Sequence, residues 1–176
     1  MDHNQFWHLV DSTRGQPDRV AKLAESLAAH TPDDIIRFRL IYDDLIQAAN
    51  RVDLWGAAHV INGGCTDDGF SYFREGLIEL GRPVFEAAVR DPDSLADVIK
   101  PGEVLEGTEG LGAAAQDAWV AKTGGTEEAF FEAVDAADEN TGRGAPEEGA
   151  WWKFDDPAEV RDRLPRLAAK LMAGGA

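Results

Sequence analysis

Apolar positions recur at three- and four-residue spacings along almost the whole chain, and no stretch between turn residues alternates apolar with polar. That period belongs to helices buried along one stripe, so the sequence predicts an all-α fold: a single helical domain over 1–176, an orthogonal bundle of about 8–9 helices. Asp2 and Gln5 form a capping-box pattern ahead of Phe6, Trp7 and Val10, opening a helix that ends near Arg14 and Gly15. A second helix, over about 17–29, carries Val20, Leu23, Ala24 and Leu27 on one stripe. Thr31-Pro32-Asp33-Asp34 reads as a cap, a proline at the first helical position and acids over the positive dipole end. The third helix, reaching about Asn50, has the clearest period, with Ile35, Phe38, Tyr42 and Leu45 in register and Ile41 beside them.

Residues 53–61 are apolar nearly all round, which suits a helix buried on most sides; a strand over Val60-Ile61-Asn62-Gly63-Gly64 is the competing reading. Gly63 and Gly64 stop this element, since glycine enters the left-handed conformation without a side-chain clash. Thr66 then caps a helix over 67–80, closed by Gly81. Prolines at 83 and 92 punctuate helices over 84–90 and 92–99, and 100–107 is a loop. Helices are predicted over 109–122 and 127–138, followed by an acidic, glycine-rich loop over 139–150, a lid or a tether. Trp151-Trp152 reads as a hydrophobic clasp in preference to a ligand platform. Asp156-Pro157-Ala158-Glu159 opens a last helix that Pro165 should kink or divide.

Composition narrows the function. The net charge is −16, and 127–159 holds eleven acids against Arg143 and Lys153, so phosphate backbones are repelled and nucleic acid is not an expected partner. The acidic 127–159 segment is a solvated face first and a docking face for a basic protein second. No apolar run reaches the ~18 residues of a membrane span, and the first residues carry no secretory pattern, so a membrane partner is not expected and a cytoplasmic location is. One cysteine, Cys65, excludes a disulfide framework and fits a reducing compartment. Nothing in the chain sets an oligomeric state.

Familiar chemical motifs fail. Gly110, Gly112 and Ala115 fit a dinucleotide-loop spacing, but no apolar strand precedes them to aim the helix at a pyrophosphate. No phosphate loop or nucleophile elbow occurs. His3, His8, His30 and His59 never stand four apart, so neither a metal site nor a cofactor is expected. Helical angles give more. At about 100° per residue with Phe70 at zero, Phe73, Leu77, Ile78 and Leu80 define an apolar face that includes Arg74 near 40° and Asp67 near 60°. Asp68, Glu75 and Glu79 fall on the opposite side, toward solvent.

Buried charges need partners, so Asp67 and Arg74 stand out. With His59, Cys65, Trp55 and Tyr72 they are expected to line one hollow. His59, Asp67 and Cys65 are the catalytic candidates, and Arg74, Tyr72 and Trp55 the ligand-binding ones. Cys65 precedes a helix N-terminus, which favours a thiolate, while Asp67 and Asp68 oppose it. The plainer reading is structural: Asp67 caps its own helix, Arg74 ties two helices, His59 is a satisfied core histidine and Cys65 packs as a small apolar residue.

The run DLWGAAHVINGGCTDDGFSYFREGLIELGRPVFEAAVRDPDSLAD, with QFWHLVD near the start and DPAEVRDRLPRL near the end, resembles the bacterial domain-of-unknown-function family numbered 4240 over nearly the whole chain. The resemblance implies no activity, ligand or catalytic residue, and the acidic 139–150 loop departs from it. The residues themselves favour a binding or regulatory module, for a protein or a small ligand. The alternatives are an enzyme using His59 and Asp67 as acid and base with Arg74 anchoring an anion, and a buried polar network that is purely structural.

Overall fold

The capping box forms: Asp2 accepts from the backbone N–H of Gln5, and the Gln5 side chain accepts from Asp2 in return. It opens α1 (His3–Ser12), followed by α2 (Arg19–Leu27) and α3 (Pro32–Ala48), whose first turn is capped by Thr31 through the Asp34 N–H. The structure is a computed structural model describing residues 1–108, 110–138 and 148–172. It is all-α, with no strand among the described residues. No helix among them is long and apolar enough to cross a membrane.

The fourth element is α4 (Val52–Asn62), a helix through the segment where a strand competed. Gly63 ends it at φ 69° and Thr66 starts α5 (Asp67–Glu79) by accepting from the Gly69 N–H, so the stop and restart occur as read. Then come α6 (Arg82–Arg90), a 3-10 helix (Pro92–Asp97), α7 (Ala113–Thr123) and α8 (Glu127–Ala137). The helix expected from residue 109 begins four residues later, because Gly110 at φ 109° breaks the register and Gly112 lies against the Tyr42 ring. The expected last helix is two, α9 (Pro157–Arg163) and α10 (Pro165–Leu171), divided at Pro165. Most of the acidic loop, 139–147, lies outside the described residues.

The chain divides into two compact units: 1–47 with 108–145, and 48–107 with 146–176. The first buries Phe6, Leu23, Leu27, Ile35, Phe38 and Phe130, with α2 against α7 and α7 against α8. Its buried cation, Arg19, is satisfied by the Val10 carbonyl at 3.1 Å and the Thr13 hydroxyl at 3.3 Å. In the second unit α10 packs on α4, α9 and the 3-10 helix around Leu54, Leu77, Leu95 and Leu167. Leu164, at the cap position of α10, gives no side-chain bond, so the buried Asp93 caps that helix from a distance: its carboxylate accepts from the N–H groups of Arg166 and Leu167 at 2.9 Å.

Two further sets of contacts in the second unit fix the 148–154 segment. Its first residue is fastened to the start of α4 by paired backbone bonds, Val52 N–H to Glu148 and Glu148 N–H to Asn50, and by an Arg51–Glu148 ion pair at 3.0 Å. Gly56 leaves room for the Trp152 ring: a Cβ there would sit 2.1 Å from that indole.

Candidate functional site

The second unit contains a hollow of about 610 Å³ between the start of α5, the middle of α4 and the 148–154 segment. On α5, Asp67, Phe70 and Arg74 form one stripe at the i, i+3, i+7 spacing that brings helical side chains onto one face. Trp55 stacks on Phe70 with centroids 4.5 Å apart and planes 22° apart. The Arg74 guanidinium lies 4.9 Å from the Phe70 centroid and donates to the Ser71 hydroxyl at 3.2 Å. From the other wall, Trp151 meets Trp55 edge-on at 5.1 Å and Phe154 at 5.5 Å. Asn50, Cys65 and Ser71 complete the lining.

Electrostatically the hollow holds opposite signs. The charged residues among its described lining are Asp67 and Arg74, one on either side of Phe70. Partial burial first, and the Asp67 carboxylate second, push the Cys65 thiol above its ordinary range. Cys65 is therefore a neutral thiol at neutral pH. Among the described residues no group of three or more His, Cys, Asp or Glu could hold a metal ion.

A family model for proteins of unknown function, DUF4240, matches residues 1–121. The chain belongs to the DUF4240 family. The match ends before the DPAEVRDRLPRL run. In this DUF4240 protein it takes in Asn50, Trp55, Cys65, Asp67, Phe70, Ser71 and Arg74, while Trp151 and Phe154 lie beyond it. No curated protein and no solved structure matches the chain.

Four of the six residues expected in one hollow meet there: Trp55, Cys65, Asp67 and Arg74. His59 does not line it. Its Nε2 stands 3.7 Å from Asp155 and its ring 5.9 Å from that of Phe154. Tyr72 does not line it either; the residue is 37% exposed, and its carbonyl accepts from Gly107.

The inward placement of Asp67 also needs correcting. It is exposed, because it opens α5 and side chains of a first turn lean back past the helix end, where the apolar face has no cover. Glu75, expected in solvent, is half-buried. The 104–107 segment crosses that side of α5, held by the Asn62 amide, which both donates to and accepts from Leu105, and Gly107 fits closely over Glu75 and Gly76.

Sequence reasoning missed Asn50, Phe70, Ser71 and Phe154 as lining residues and took Trp151 for part of a clasp. The aromatic density of 151–154 was the available signal. The two tryptophans in fact divide the roles, Trp152 buried against Gly56 and Trp151 59% exposed at the hollow.

Proposed function

We propose that this DUF4240 protein is a small-ligand-binding module whose site is the aromatic hollow of the second unit. The observation that carries the reading is the convergence of Trp55, Phe70, Trp151 and Phe154 on one space that Arg74 and Asp67 also line. The volume falls within the roughly 300–1,000 Å³ of ordinary ligand pockets, and Asn50, Asp67, Ser71 and Arg74 set polar groups beside the rings. A 59%-exposed indole costs free energy in water that a ligand ring or alkyl group would recover.

Binding is preferred to acid–base chemistry because His59 is absent from the lining and faces an exposed aspartate instead. A thermal-shift panel of small aromatic, anionic, cationic and zwitterionic compounds tests the reading. Some member should raise the Tm of the wild type and lose that effect in Trp151→Ala. Stabilisation that survives the substitution, or none from any member, contradicts it.

A second reading has its own support in the first unit. Glu127, Glu128, Glu132 and Asp135 are exposed on α8 around Phe131, itself 41% exposed. Such a face suits a basic partner carrying an apolar side chain. A basic amphipathic peptide should bind it less tightly as salt rises and lose affinity to Glu128→Gln with Glu132→Gln; salt-independent binding would count against the face.

A further inference from the structure

The four rings of the hollow are not equivalent. Phe70 is buried, with Trp55 stacked on it at 22° and Phe73 at 20°. That stack takes up one face of Trp55. Phe154 is half-buried, and the rings of His59, Trp151 and Trp152 pack around it. Trp151 differs: among the described residues its ring neighbours are Trp55 at 61° and Phe154 at 41°, neither of them parallel to it. With 59% of its surface exposed, the indole cannot have both faces covered, and part of that open surface lines the hollow.

An open indole face selects by shape. A flat aromatic ring laid against it gains from offset stacking beyond the area it buries, whereas a saturated ring of the same skeleton is puckered and has no π system to offer. The indole is also held before and after in the chain, by the bridge of Glu148 to α4 and by Trp152 seated against Gly56. Little order then has to be imposed on the wall when a ring stacks there. A volume of about 610 Å³ has room for a fused bicyclic ring, and Asn50, Asp67 and Ser71 in the lining present donors and acceptors to a nitrogen or oxygen on its edge.

We infer that the hollow takes a flat, heteroatom-bearing aromatic compound that stacks on the open face of Trp151. This rests on the hollow being a ligand site and adds the shape of what it receives. Alkyl chains and saturated rings bury the same kind of surface without the stacking gain.

Isothermal titration with 2-naphthol and with decahydro-2-naphthol, which share a fused skeleton and a hydroxyl, tests the inference. The flat compound should bind at least about threefold more tightly, although the saturated one has the larger apolar surface. Ring protons of bound 2-naphthol should move upfield in the NMR spectrum, the sign expected over an aromatic face. Trp151→Leu keeps apolar bulk and should abolish the preference; Trp151→Phe keeps a flat ring and should retain part of it. Equal or tighter binding of the saturated compound, a downfield shift, or a preference that survives Trp151→Leu overturns the inference. Failure of both naphthols beside another compound whose stabilisation Trp151→Ala removes overturns the ligand class and leaves the site standing. Failure of every compound overturns both.

Discussion

Trp151 and Trp152 are neighbours in the chain and opposites in the fold. Trp152 is 9% exposed, its indole fitted into the space left by Gly56, with the Arg163 guanidinium 5.2 Å from its ring. It borders a cleft of about 360 Å³ lined also by Asp53, Arg90, Asp91 and Arg163. Trp151 is 59% exposed and borders the larger hollow, lined also by Asp67 and Arg74 of α5. A buried aromatic recovers its free energy on folding; an exposed one held in place by neighbouring rings leaves that gain for a later partner. On the proposed function Trp151 serves the site, while Trp152 belongs to the core.

Substitutions should separate the two. Trp152→Ala removes a buried indole and leaves a cavity beside α4, and is expected to cost about 3–5 kcal/mol in denaturant unfolding. Gly56→Ala drives a methyl into the same ring; an expected loss of about 1–3 kcal/mol from overpacking outweighs the helix-propensity gain of about 1 kcal/mol, so the Tm should fall. Trp151→Ala should cost about 1 kcal/mol or less, because it forfeits ring contacts and little burial. If Trp151→Ala proved as destabilising as Trp152→Ala, the division of roles would be wrong.

The smallest effect concerns Cys65. Its thiol is raised by burial and by Asp67, so at a given pH less thiolate is present than on an unhindered cysteine, and alkylation by iodoacetamide should be slow at neutral pH and climb at higher pH than for a free thiol. Asp67→Asn removes the second cause and should speed alkylation modestly, leaving the burial effect in place. Rapid alkylation of the wild type at neutral pH would contradict this environment.

Local signals carried most of the fold. The Asp2–Gln5 box, the Gly63 stop, the Thr66 cap and the break at Pro165 were readable because each depends on residues a few positions apart. What depends on distant chain was not. The cap that Asp93 supplies to α10 spans 73 residues at Arg166, and the cover over Glu75 comes from the 104–107 segment. For the site, helical angles brought Arg74 and Asp67 together with Phe70, yet they are silent on depth, which is why Asp67 was placed inside. Trp151 and Phe154 reach the hollow through the bridge of Glu148 to α4 and the seating of Trp152 on Gly56.

The central claim is that the hollow, and not the cleft beside Trp152, receives a ligand. The chain has five tryptophans, and their indole N–H signals report separately in a two-dimensional NMR spectrum. On titration with a compound that binds, the signals of Trp55 and Trp151 should move together and saturate at one concentration, while those of Trp7 and Trp119 stay fixed and that of Trp152 moves less. Shifts confined to Trp152, or spread evenly over all five, would contradict the account.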